Sequence, residues 1–243
     1  MEKVSTILDV FFILTTILAV WQFYRATNKS KVFLIVAIVI MTVQYFLGKS
    51  DFYDNSTAIP TRFIFLLFPA FVLIIILFLT NSGRKFIDNL KLKHLILLHT
   101  IRIPVEIALY YLFVAKTIPQ IMTFEGRNFD IVAGFTAPFI FYFGFIKNKI
   151  SDRLLIVWNV LSLVLLINII VIALLSANTP LQQFAFDQPN IALGHFPFNC
   201  LPSIIVPLVL FSHLTSLRQI IMRQKKNNRQ QAVFTQNGQT VVT

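Results

Sequence analysis

Seven long apolar stretches alternate with short polar connections along the chain, and each reads as one membrane-spanning helix: Val4 to Tyr24, Val32 to Gly48, Arg62 to Thr80, Leu95 to Ala115, Ile131 to Ile146, Leu154 to Ser176 and Phe196 to Leu217. Stretches near 20 residues match the hydrocarbon thickness of a bilayer. Lipid offers no partner for backbone N–H and C=O groups, so a spanning segment is either a helix or part of a closed barrel. The alternating ten-residue pattern of a membrane barrel is not found, so the expected fold class is an all-α bundle of seven transmembrane helices. Segment five is the shortest and is expected to begin earlier, within FEGRNFD, or to be tilted. Pro69, Pro104, Pro138, Pro202 and Pro207 fall inside segments, where each removes a backbone hydrogen bond and favours a kink.

The polar positions orient these segments. Fifteen Lys and Arg residues lie on alternate connections and the C-terminal stretch: Arg25, Lys29, Lys31, Arg84, Lys85, Lys91, Lys93, Lys147, Lys149, Arg153, Arg218, Arg223, Lys225, Lys226 and Arg229. Five lie on the other side, Lys3, Lys49, Arg62, Lys116 and Arg127, while Arg102 lies within a segment. By the positive-inside rule the N-terminus is outside and the C-terminus cytoplasmic. Residues 1–222 are expected to form the transmembrane domain and residues 223–243, rich in Gln and Asn, a cytoplasmic tail too polar to order itself. The connection NSGRKFIDNLKLKH places Phe86, Ile87 and Leu90 at helical spacing, which suits either a short amphipathic helix on the inner surface or an ordinary basic loop.

Composition agrees with lipid as the main solvent: hydrophobic residues make up 56% of the chain and the mean hydropathy is +0.75. The net charge of +11 belongs to the inner connections, facing anionic lipid rather than nucleic acid. The single cysteine, Cys200, cannot form an internal disulfide. The first stretch follows a short basic start but lacks a small-residue cleavage site and carries Asp9, so it is read as a retained helix. Asn55-Ser56-Thr57 matches the short glycosylation acceptor pattern on an outer connection. No internal repeat of the transporter kind is detected.

Candidate chemistry sits where ionisable residues enter apolar segments, because such residues are costly there and turn toward the bundle interior. In LLHTIRIPVEIALYY, His99, Arg102 and Glu106 share one helical face. Two readings fit them: an internal Arg102–Glu106 ion pair that lets both charges tolerate burial, or a polar pocket in which Arg102 donates and Glu106 accepts. His213 in segment seven lies at a similar depth to His99. Two imidazoles at one depth could hold b-type haem axially or contribute to a zinc site, as in a membrane-embedded hydrolase. A catalytic zinc normally takes three protein ligands, however, and no HExxH occurs. No cofactor is therefore expected, and the reading leans away from an enzyme. A third group lies on outer connections: Glu125, Arg127 and Asp130 before segment five, and His195 with Asp187 and Asn199 before segment seven, with Asp9 and Gln44 toward the same ends. These could ring a ligand entry or simply be a folded outer loop. Asn159 and Ser162 share a face of segment six and are expected to hydrogen-bond between helices.

A retinal protein is excluded because no Lys lies between Lys149 and Lys225 to form the Schiff base, and receptor-like DRY and NPxxY stretches are missing. The stretches EGRNFDIVAGFTAP and FAFDQPNIALGHFPFNCLPSIIVPLVLFSHL instead resemble an uncharacterised bacterial family of multi-pass, seven-helix integral membrane proteins. The resemblance covers most of the second half of the chain. It implies a bacterial cytoplasmic membrane and carries over no functional residue. The resulting expectation is a non-catalytic multi-pass protein, with the bilayer and a small polar, amphipathic or lipid molecule as its partners. That molecule would be bound, sensed or transported, with His99, Arg102 and Glu106 as the main contact face.

Overall fold

The structure, a computed structural model, describes residues 4–54 and 61–239, so the acceptor pattern at Asn55 lies outside the described residues. Among the described residues the regular structure is helical, apart from one isolated parallel bridge between Ala177 and Asn190. The helices are α1 (Thr6–Ala26), α2 (Lys31–Lys49), α3 (Phe68–Leu79), α4 (Asn81–Asp88), α5 (Leu92–Leu98), α6 (Arg102–Val114), α7 (Asp130–Phe141), α8 (Asp152–Leu175) and α9 (Val206–Gln239). Serine caps start three of them: Ser5, Ser30 and Ser151 accept from the backbone N–H groups of Leu8, Phe33 and Leu154, each at 3.3 Å. Each cap satisfies one of the donors that a helix start leaves unpaired.

Among the described residues, five helices are long and apolar enough to cross a membrane: Thr6–Ala26, Lys31–Lys49, Leu92–Val114, Asp152–Leu175 and Leu201–Gln230. A sixth candidate is the pair α3 and α4 taken as one broken span, and Asp130–Ile146 is a shorter apolar helix. All seven apolar stretches of the sequence are therefore largely helical, but two of them fall short of a simple continuous span. Segment three opens with a 3-10 turn at Arg62–Leu66, runs as the short helix α3, and then turns by 93° into α4.

That corner has a local cause. Thr80 Oγ1 accepts from the Gly83 N–H at 3.1 Å and caps α4, while the Arg84 guanidinium donates to the carbonyls of Phe78 and Leu79 at the end of α3. A Cβ on Gly83 would lie 2.2 Å from the Leu77 carbonyl oxygen, so only glycine lets the two legs approach this closely. Helix α4 is amphipathic as its spacing suggested, with Ile87 buried and Arg84 and Lys85 exposed.

Proline positions explain most of the remaining irregularities. Pro69 falls in the first turn of α3, where a missing N–H costs nothing, and Pro207 directly follows the π-helical turn Leu201–Ile205. Pro202 lies in the π-helical turn Leu201–Ile205, and Pro104 in the first turn of α6 after the 3-10 turn His99–Ile101. All four prolines thus stand at or beside a change of helix type rather than within a regular α-helical run. Pro138 alone lies inside a helix, α7, ahead of the π-helical turn Tyr142–Ile146.

Side chains are distributed inside out relative to a water-soluble protein. Ile7, Val32, Ile35, Phe46, Phe139 and Leu161 are exposed, whereas Arg102, Glu106, Asn128, Asn159, Asn199 and His213 are buried. Exposed apolar surface of this extent marks an interaction with another apolar phase. The bundle centres on Leu92–Val114 and α9, against which α1, α7 and α8 pack. At one end, Arg218 donates to both oxygens of Asp88, at 2.8 and 3.0 Å, and Arg223 pairs with Asp152. Helix α9 then continues unbroken to Gln239, so residues 223–239, expected to lack structure, are helical; Lys, Arg and Gln are good helix formers and let the helix run on.

Candidate functional site

Arg102 organises the buried polar centre. Pro104 cannot donate into the preceding turn, and the chain tightens to 3-10 geometry over His99–Ile101 before α6 begins at Arg102. In a 3-10 turn residues three apart eclipse one another, which keeps His99 and Arg102 on the same side. Helix α7 comes in against this turn because Gly134 leaves room: a Cβ there would lie 3.0 Å from Ile103 Cγ1 and 3.1 Å from Arg102 Cβ. The start of α7 thereby brings Asp130 to Arg102.

Arg102 Nη1 donates to Asp130 Oδ1 at 2.6 Å and to the Ser162 carbonyl at 3.1 Å, and the two charged side chains are 3% and 8% exposed. Asp130 sits in the first turn of α7, where the helix dipole also favours its charge. The Arg102–Glu106 ion pair suggested by their spacing is therefore replaced by a pair between helices. Glu106 instead accepts from Asn128 Nδ2, and Asn128 also donates to the Met122 carbonyl and accepts from the Asp130 N–H.

The other side of the guanidinium fixes a histidine tautomer. Arginine only donates, so His213 Nε2 accepts from Arg102 Nη2 at 2.7 Å, and His213 Nδ1 carries the proton that it donates to Asn159 Oδ1 at 3.0 Å. Asn159 is held by its own donation to the Leu155 carbonyl. His99 stacks on His213, with ring centroids 3.8 Å apart and planes 19° from parallel, and meets the edge of Trp158 at 5.4 Å. Face-to-face rings at this distance leave no gap for a haem plane, and neither nitrogen of His213 is free for a metal. The depth match between the two histidines thus reflects stacking.

Among the described residues, four polar atoms of this centre are buried without a hydrogen-bond partner: both ring nitrogens of His99, Arg102 Nε and Glu106 Oε2. Unsatisfied groups in an apolar interior cost about 1–3 kcal/mol each.

Of the sequence candidates, His99, Arg102, Glu106, Asp130 and His213 converge. Glu125 and Arg127 are exposed and make no ion pair among the described residues, although they flank Asn128 in sequence. His195 lies apart, beside Asp51 and Asp54. Asn128 escaped the sequence reading. Its signal was the Asn128-x-Asp130 spacing ahead of a helix, the pattern of an Asx turn. Among the outer polar residues, Gln44 accepts from the Tyr53 hydroxyl at 2.9 Å, and its backbone carbonyl accepts from Asn199 Nδ2 at 2.7 Å. Burial raises the Tyr53 phenol above its ordinary value, which keeps it a donor.

Residues 59–221 match the model of a protein family described as a domain of unknown function (DUF8737). The chain belongs to this family. The matched region is more than half of the chain and holds every residue of the buried centre. No curated protein and no solved structure matches the chain.

Proposed function

We propose that this is a seven-span protein of the bacterial cytoplasmic membrane that binds a small polar molecule at the Arg102 centre in order to sense or transport it. Fifteen basic residues on alternate connections, against five on the others, support an outer N-terminus and an inner C-terminus. The five long apolar helices, the broken pair α3–α4 and the shorter Asp130–Ile146 supply seven segments for this topology.

The observation that carries the binding reading is the set of unpartnered atoms on His99, Arg102 and Glu106 around one buried ion pair. Around this pair two histidine nitrogens, a guanidinium donor and a carboxyl oxygen have no partner among the described residues. Such a set suits a compact molecule with both donors and acceptors. Because the centre is enclosed, entry requires α6 and α7 to part, and the 3-10 turn at His99–Ile101 is the natural place for α6 to flex.

The test is thermal unfolding of purified protein against a panel of amino acids, small carboxylates, phosphates and lipids. A ligand at about 100 times its Kd adds about 2.7 kcal/mol, which is readily seen as a rise in Tm. At least one compound class should stabilise the wild type and fail to stabilise His99→Leu and Glu106→Gln. A panel that leaves the wild type unmoved overturns the reading, and a loss of stability in both variants would then make the centre structural.

A further inference from the structure

A second cluster lies beyond the end of α2, away from Arg102. Helix α2 stops at Lys49; Asp51 then takes a left-handed backbone conformation, φ 51°, and a 3-10 turn follows at Phe52–Asp54. Aspartate is among the few residues that tolerate this conformation well. The turn Ala192–Gly194 packs on this segment, and a Cβ on Gly194 would already lie 3.2 Å from Tyr53 Cβ. The residue after that turn, His195, places Nε2 3.1 Å from Asp54 Oδ2 and 3.7 Å from Asp51 Oδ1.

The orientation of the ring makes this arrangement informative. His195 Nδ1 lies 3.2 Å from the Ile191 carbonyl oxygen, which can only accept, so Nδ1 carries a proton. In the neutral ring Nε2 then turns a lone pair toward two carboxylates, acceptor against acceptors. Something positive has to lie between them, either a second ring proton or a cation. Arg62 does not fill this role: its guanidinium lies over the Phe52 ring, 4.9 Å from the centroid, and among the described residues it pairs with neither aspartate.

The three donor atoms lie within 4.8 Å of one another. Ligand atoms about 2.0–2.2 Å from a tetrahedral zinc ion stand roughly 3.3–3.6 Å apart, so an ion fits with little movement. A histidine held by a backbone carbonyl through its other nitrogen is also the usual way a ligand ring is aimed at a metal. Independently, Asp54 borders a cavity of about 230 Å³ whose wall includes Asn190. Asn190 is 2% exposed, and its Oδ1 has no hydrogen-bond partner among the described residues.

We propose that Asp51, Asp54 and His195 form a divalent-cation site, suited to zinc by its one imidazole and two carboxylates, with an open coordination position for a small ligand from the adjoining cavity. The ion would join the connection after α2 to the connection before α9.

The test uses full-length protein stripped with chelator, reloaded with Zn²⁺ and freed of excess. Wild type should retain about one zinc per chain, and Zn²⁺ should raise its Tm. Asp51→Asn, with a largely exposed side chain, should match wild type in Tm without metal yet lose the retained zinc, as should His195→Ala. Glu106→Gln should retain zinc like the wild type, which separates this site from the buried centre. A wild type that retains no zinc overturns the inference. So does equal retention by Asp51→Asn and His195→Ala, which would place the metal elsewhere.

Discussion

At the scale of single residues, the buried centre contains charges with different dependence on their partners. Arg102 and Asp130 neutralise each other at 2.6 Å, so removing one leaves the other buried and alone. Breaking a buried pair this way costs about 3–5 kcal/mol. Arg102→Gln and Asp130→Asn should each lower stability by about that amount, and the double variant should lose clearly less than the sum of the two. Denaturant midpoints of the three purified variants measure the coupling, and strict additivity would show that the pair is not the unit described. Glu106 differs, because one of its oxygens has no partner among the described residues. Glu106→Gln keeps an acceptor for Asn128 at the same side-chain size and removes the buried carboxyl, so its Tm should equal or exceed that of the wild type. Asn128→Ala removes the partner of Glu106 and the acceptor for the Asp130 N–H together. It should cost about 1–3 kcal/mol.

At the scale of elements, two glycines set how closely helices meet. Gly83 stands in the corner between α3 and α4, where any Cβ would lie 2.2 Å from a backbone oxygen. Backbone cannot yield as a side-chain tip can, so Gly83→Ala should destabilise by about 1–3 kcal/mol, and α3 and α4 should lose their 93° relation. A Tm unchanged from wild type would refute the tight corner. Gly134 holds α7 against Arg102, with less crowding at 3.0–3.1 Å. Gly134→Leu should push α7 away, separate Asp130 from Arg102 and reproduce the instability of Asp130→Asn. Combined with Asp130→Asn it should add little further loss, since the ion pair is already gone; thermal melts of the single and double variants test this.

At the scale of the whole molecule, charge bias and apolar length make a topological prediction. With Cys200 replaced by Ser, single cysteines at Gln183 and Asn227, both exposed positions, should label from opposite sides of the membrane. An impermeant reagent applied to intact cells should reach Gln183→Cys and spare Asn227→Cys until the cells are opened. Labelling of both from outside would rule out the seven-span arrangement.

The sequence by itself determined what depends on local periodicity and solvent. Apolar runs of spanning length are expected to be helices, because a lipid phase would pair with no backbone group, and burial of His99, Arg102 and Glu106 is expected from the same cost. The amphipathic helix after Thr80 was one of two readings that the spacing of Phe86, Ile87 and Leu90 left open, the other being a basic loop, and the structure shows the helix. The partner of each polar group was not visible, because pairing depends on which helices lie side by side. Intrahelical spacing pointed Arg102 at Glu106, yet the 3-10 turn before Pro104 and the close approach allowed by Gly134 brought Asp130 nearer. Equal depth joined His99 and His213, but only packing decided that their rings stack rather than face each other across a gap. His195 and the two aspartates are far apart in sequence, and only the seating of the Ala192–Gly194 turn on the segment after α2 makes them neighbours. Contacts across such distances are set by the shapes of whole helices, which single positions do not encode.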